Sequence, residues 1–196
     1  MPSPLRRLER SLRVRLAETL PGVQAQLKFA PTPARPGWRA GHFPAETRTA
    51  AALLLLYPRA NDVAIPLTVR ASGLARHAGQ ISLPGGASDE GETLSDTALR
   101  EASEEVGIDP ASVRILGELT PVHVVVSGFT LHPIVGVTDE RPDFVAAQGE
   151  VEEILEVSLD DLRDASRFGR DIRIREGVAV EACDSERPHD RFLVDE

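Results

Sequence analysis

The chain predicts one mixed domain, an α+β fold or an α/β sandwich, and three observations carry that expectation. Short, apolar, strand-like runs recur between Ala50 and Val137. Leucines at helical spacing precede them, and a segment stopped by Gly107 with helical periodicity lies between them. With 196 residues, 41% of them hydrophobic and 27% charged, the chain is long enough to bury one core and is not disordered in composition.

The elements follow in order. Leu5, Leu8, Leu12, Leu16 and Leu20 recur at steps of three or four, one face of a helix ended by Pro21. Pro31 to His42 carries prolines and glycines and reads as a connecting loop. Ala50 to Tyr57 (AAALLLLY) is too short to span a bilayer and suits a buried strand. Val63 to Arg70 is a second strand, in which Pro66 requires an edge or a bulge. Thr93 followed by Asp96 makes a capping-box-like start, so a helix is expected over Leu94 to Val106, with Gly107 as its stop. Strands are expected over Val113 to Leu119, Val122 to Val126 and Leu131 to Val137, with Gly128 turning between the last two. Ser158 to Ala165 is a shorter helix with a serine cap. These spans divide the chain into residues 1–45, a helix and a Pro-rich connection; 46–165, the principal domain; and 166–196, a tail packed on the same domain.

A formal charge of −9 disfavours binding to nucleic acid or to an anionic membrane surface. Cys183 is the only cysteine, which excludes an internal disulfide framework and a cysteine-based metal site and fits a reducing cytosol. The N-terminus lacks the continuous apolar core of a secretory signal. It is Arg-rich and amphipathic like a transit peptide, but Glu9 and Glu18 count against that reading, so the expected location is cytoplasmic.

The stretch GGASDEGETLSDTALREASEEVGI, residues 85–108, crowds carboxylates onto one helix. At about 100° per residue, Leu99, Ala102 and Val106 share a face expected to be buried. Glu101, Glu104 and Glu105 share the opposite one, with Arg100 at its margin. Each like-charged pair at i, i+4, such as Glu101 and Glu105, costs an isolated helix about 0.2–0.5 kcal/mol. Arg100 offsets only part of this through its i, i+4 relation to Glu104. A hard divalent cation resolves the repulsion, since Mg²⁺ takes one or two carboxylates together with waters and substrate phosphates. The glycines of residues 85–91 allow the backbone to approach the same point. For any single glutamate here, a solvated acidic face is the simpler explanation; the pattern as a whole is far more specific.

Gly86, Glu92, Arg100-Glu101, an apolar position, Glu104-Glu105, Gly107 and Ile108 stand at the spacing of the Nudix box, which the segment resembles in full. Nine constrained positions match by chance on the order of one time in ten million. Ala102 is small for a place that usually holds a larger aliphatic residue. The resemblance implies an α/β/α sandwich around a mixed sheet, with the box as loop, helix and loop. It implies Mg²⁺- or Mn²⁺-dependent hydrolysis of a nucleoside diphosphate linked to another moiety. It further implies that Glu101 and Glu105 are metal ligands, that Glu104 is a further ligand or the base, and that Gly86 offers its carbonyl. Arg100 would orient the carboxylates and Glu92 would brace the loop. Glu150 and Glu153 are the other candidates for the base.

Upstream, LTVRASGLARHAGQISLPGG (Leu67 to Gly86) resembles the additional motif of the coenzyme A pyrophosphatase branch. Leu67, Thr68, Arg70, Ala71, Gly79, Pro84, Gly85 and Gly86 fit it; Ala75 stands where an arginine is expected, with Arg76 beside it, and Leu83 stands for a phenylalanine. Ser127 to Gly136 and Glu150 to Leu162 are also similar to this branch. The C-terminus departs from it, since Arg175 to Glu196 lacks the aromatic strand and the Trp-Gly pair, and the only tryptophan is Trp38. The implied activity is cleavage of coenzyme A or a derivative to 3',5'-ADP and 4'-phosphopantetheine. ADP-ribose or NADH as substrate, and a non-catalytic binding module, are the alternatives. Arg70, Arg76 and His77 are suited to gripping phosphate, because a guanidinium binds it bidentately. His123 and His132 alternate with apolar residues and read as hydrogen-bonded strand histidines. The expected partner is a small nucleotide substrate, with neither nucleic acid nor membrane, and a homodimer is among the states the sequence allows.

Overall fold

In the computed structural model the described residues are 3–34, 38–71, 79–125, 127–164, 169–175 and 178–184. Helix α1 (Pro4–Leu16) starts at Ser3, whose side chain accepts from the Arg6 amide, with Pro4 in the first turn. It ends at Leu16, a turn earlier than the leucine spacing suggests. Leu20 precedes Pro21, and the residue before a proline is pushed out of the helical region, so the repeat outruns the helix. The loop expected before the sheet contains a further short helix, α2 (Val23–Gln26).

Strand β1 (Arg48–Arg59) is the centre of an eight-stranded sheet. It pairs antiparallel with β2 (Asp62–Arg70) and with the short β4 (Gly85–Ala87). Its other edge pairs in parallel with β7 (Phe129–Val137), which makes the sheet mixed. β3 (Ile81–Ser82) extends β2, while β5 (Arg114–Glu118) and β6 (Val122–Val124) both pair with β7. β8 (Val151–Ser158), a strand where no strand was expected, pairs antiparallel with β2. Pro66 is buried where the β1 ladder has ended at Ala64 and the β3 ladder has not begun, so its missing N–H breaks neither. Val126 and Ala165, the ends of two expected elements, lie outside the described residues.

The continuous apolar run of β1 reflects burial on both faces. Ala51, Leu53, Leu55 and Tyr57 point to helix α3 (Leu94–Val106) and pack with Ala98, Ala102 and Val106. Leu56 points the other way, to a core with Val63, Ile65, Val135 and Val137, which Leu5, Leu8, Leu12 and Leu16 of α1 cover. Helix, sheet and helix therefore form three layers. Helix α4 (Leu159–Arg163) follows β8, capped by Ser158. A separate two-stranded sheet, β9 (Gly169–Arg175) with β10 (Val178–Asp184), follows in the region read from sequence only as a tail.

Candidate active site

Helix α3 is delivered by well-matched local chemistry. The Thr93 hydroxyl accepts from the Asp96 amide and donates to the Asp96 carboxylate at 2.6 Å. Gly107 closes the helix in the left-handed region at φ 74°. The buried face differs from the expected one. Ala98, Ala102, Glu105 and Val106 form it, and Leu99 sits at its margin. The small Ala102 is fully buried, which lets the helix lie close on the sheet.

The three box carboxylates are thus placed unequally. Glu104 is exposed, Glu101 is half-buried and Glu105 is only 9% exposed. The Gly85 amide donates to Glu105 Oε2 at 3.0 Å. Burial pushes the Glu105 carboxyl up to about 7; the Gly85 hydrogen bond opposes this, the Glu101 carboxylate adds to it, Arg70 opposes it and Glu150 adds to it. The charges acting on Glu105 thus come from Glu101 on α3, from Glu150 on the turn before β8 and, with opposite sign, from Arg70 at the end of β2.

Gly85 must be glycine, since a Cβ there would lie 2.5 Å from the Ala51 carbonyl oxygen and the Ala52 Cα. A Cβ on Gly86 would overlap the Glu101 carboxylate, so that carboxylate lies against the Gly86 backbone. Arg100 organises the rest. Its Nε and one terminal nitrogen grip both Glu92 oxygens at 2.7 and 3.1 Å. The other terminal nitrogen reaches Glu101 at 2.8 Å and Glu104 at 3.2 Å, and a further bond at 3.1 Å holds the Ala87 carbonyl. Glu92 also accepts from the Asp89 amide and the Thr97 hydroxyl. The Arg100 fork first, then those two donors, hold its carboxyl down at about 2.

Among the described residues, no three carboxylate or imidazole side chains are gathered as a ready metal cage. Arg100 occupies oxygens of Glu101 and Glu104 that such a cage would use. The donor set nonetheless fits a hard divalent cation. All of its members are oxygens, and the like charge crowded around Glu105 is what a cation relieves.

Strand alternation sorts the remaining candidates. Glu153 pairs with Val69 and is two residues from Leu155, both in the core under α1, so it faces away from α3. Glu150, on the turn before β8, adds to the negative charge acting on Glu105. Arg76 and His77 lie outside the described residues. His132 Nδ1 is 2.6 Å from Glu118 Oε1. His123 Nδ1 is buried without a hydrogen-bond partner among the described residues. Two residues not singled out from sequence also border the site. The Arg48 guanidinium lies 4.0 Å over the Phe129 ring, and Phe129 helps line a cavity of about 370 Å³ beside Gly85 and Gly86. No periodic or spacing signal marks either, because the pair meets only when β7 adds to β1.

Comparison with known proteins identifies the family. The NUDIX domain family model matches residues 47–175. The chain is 43% identical over 103 residues to the uncharacterized Nudix hydrolase NudL of Pectobacterium atrosepticum, a match covering 52% of this chain and 53% of that protein. It is 37% identical over 165 residues to the uncharacterized Nudix hydrolase NudL of Yersinia pestis, covering 83% of this chain and 80% of that one. The chain thus spans about half the length of the first relative and most of the second. The crystal structure of a Nudix hydrolase from M. smegmatis, RenU, superposes with a TM-score of 0.51 at 26% identity, covering 60% of this chain and 74% of that one.

Proposed function

The chain belongs to the Nudix family, and from that premise we propose that it is a divalent-metal-dependent pyrophosphohydrolase acting on coenzyme A or a derivative. The observation that carries the chemistry is the placement of Glu105 and Glu101 against the glycine backbone, Glu105 accepting from the Gly85 amide and the Glu101 carboxylate lying against Gly86. Glu101 and Glu105, with the Gly86 carbonyl, are the groups that would hold Mg²⁺ or Mn²⁺, while Glu104 would be a further ligand or the base. When bound, the ion supplies charge neutralisation at the diphosphate and acidifies water.

The chain's own residues do the rest. Arg100 sets the rotamers of Glu101 and Glu104 through its fork. The glycine loop admits the diphosphate against backbone amides. As the base, Glu104, which is exposed to solvent, would accept the proton of the attacking water, with Glu150 as the competing base. The substrate assignment rests on the motif from Leu67 to Gly86 and on Arg70, whose positive charge acts on Glu105 and which is suited to a phosphate. Arg76 is assigned a second phosphate contact by the same motif.

Product analysis over a panel of coenzyme A, ADP-ribose and NADH, with Mg²⁺ and with Mn²⁺, tests the assignment. Formation of 3',5'-ADP and 4'-phosphopantetheine at the highest kcat/KM is the expected result. Faster turnover of ADP-ribose or NADH would reassign the substrate and keep the chemistry. Binding without turnover of any of them would make the protein a non-catalytic module.

A further inference from the structure

Of the buried residues of α3, Thr97 alone carries a hydroxyl, and it has no exposed surface. It is not one of the constrained positions of the box, and the helix interior is an unfavourable place for it. A β-branched side chain loses rotamer freedom there, and its hydroxyl competes for backbone bonds. Burying that hydroxyl costs more unless it finds a partner. Ala98 and Ala102 show that small apolar residues fill the contact between this helix and the sheet. What the hydroxyl touches accounts for its presence.

A buried threonine in a helix ordinarily bonds back to the carbonyl four residues earlier, and the Thr93 carbonyl does lie 3.2 Å from Thr97 Oγ1. That carbonyl already accepts the Thr97 amide at 3.0 Å. The shorter contact, at 2.9 Å, leaves the helix for Glu92 Oε2. The hydroxyl has one proton to give, and a bond to an ionised acceptor is roughly twice as strong as a neutral one. The carboxylate is therefore its principal partner.

Glu92 is held from three directions. The Asp89 amide reaches Oε2 at 3.0 Å from the loop, Thr97 reaches the same oxygen from the helix, and Arg100 grips both oxygens. Arg100 and Glu101 stand three and four residues after Thr97, on the same flank of α3. A guanidinium is a rigid plane. Once two of its nitrogens are seated on Glu92, the direction of the third is set. That third nitrogen is the one on Glu101 Oε1 at 2.8 Å and on Glu104 Oε2 at 3.2 Å. The Glu92 side chain is 20% exposed, so water can solvate it if Thr97 loses its hydroxyl. Water cannot stand where the buried hydroxyl stood, and the carboxylate is then free to turn.

We propose that Thr97 is a positioning residue for the divalent-ion site: its hydroxyl fixes the Glu92 carboxylate, which seats the Arg100 fork and so holds Glu101 against Gly86. This rests on the reading of Glu101 and Glu105 as metal ligands. Thr97 itself touches neither ion nor substrate.

The test binds Mn²⁺ alone to the full chain, read from the free-ion electron paramagnetic resonance signal, and then measures kcat and KM for coenzyme A with Mg²⁺. Thr97→Val keeps the shape and removes the donor. It should weaken Mn²⁺ binding by about tenfold and lower kcat by a similar factor with little change in KM, the low end of the range for partners of metal ligands. Thr97→Ser, which keeps the hydroxyl, should stay close to wild type in both. In a Glu92→Gln background, Thr97→Val should cost little more, because the two act through one carboxylate. Mn²⁺ affinity decides the role even where coenzyme A is not the substrate. Unaltered affinity in folded Thr97→Val, or losses that add fully to those of Glu92→Gln, would overturn the positioning role and leave the metal site intact. If Thr97→Val does not fold, Thr97→Ala against Thr97→Ser makes the same comparison. A wild type that binds no Mn²⁺ would reject the metal reading and this role with it.

Discussion

Glu105 is the residue at which burial and charge conflict most directly. Its carboxyl accepts the Gly85 amide, yet burial and the facing Glu101 and Glu150 raise it from 4.5 to about 7. A raised carboxyl contributes stability that is fully present below the unfolded value near 4.5 and is lost as pH rises through about 7. Metal-free protein should therefore lose on the order of 1–3 kcal/mol between pH 4.5 and 8, relative to Glu105→Gln. Denaturant melts of both proteins in chelator check this; parallel profiles would contradict it. Which carboxylate takes the proton is settled separately. Glu104→Gln should remove the acidic limb of the pH–rate profile, as loss of a general base does. Loss of that limb in Glu150→Gln instead would move the role there. The sequence made the set of carboxylates legible through their spacing. It did not reveal that Glu105 faces inward, because helical phase alone cannot tell a solvent face from one roofed by the loop at Gly85.

At the scale of elements, the glycine strand β4 is what allows α3 and β1 to meet at the site. A Cβ on Gly85 would meet rigid backbone, whereas one on Gly86 would meet the movable end of Glu101. Gly85→Ala should destabilise the fold by on the order of 1–3 kcal/mol. Gly86→Ala should cost less stability while still displacing Glu101 and impairing turnover. Thermal melts paired with steady-state rates separate the two, and equal melting losses would contradict the close approach at Gly85. Helix α3 was readable to its ends, because Thr93 and Gly107 are local signals. α1 was overextended because Leu20 continues the leucine spacing in a segment that Pro21 has already turned out of the helix. β8 was missed because Glu152, Glu153 and Glu156 break its apolar pattern. Arg141 and the Tyr57 hydroxyl answer Glu156 at 2.7 Å each, and those partners come from distant parts of the chain.

Across the whole molecule, the three-layer architecture follows from two facts: β1 is apolar on both faces, and each face has one helix with a matching stripe. Fold class was legible for that reason. The parallel pairing of β1 with β7, and the cleft it opens under Arg48 and Phe129, was not, since long-range pairing leaves no local trace. The substrate preference is likewise a property of assembled surfaces. If Arg70 holds the 3'-phosphate of coenzyme A, wild-type kcat/KM should favour coenzyme A over its 3'-dephospho form by about ten- to a hundredfold. Arg70→Ala should narrow that ratio, and equal rates in the wild type would contradict the assignment.

In the proposed function, carboxylates of the box helix hold the divalent ion that makes diphosphate cleavage feasible. The most direct test is the hydrolysis rate of coenzyme A at saturating Mg²⁺ by wild type and by Glu105→Gln, with circular dichroism confirming that both are folded. kcat is expected to fall by on the order of 10²–10⁴ in the variant, the range for losing a polar group central to catalysis. A folded Glu105→Gln protein that kept more than about half the wild-type rate would contradict it.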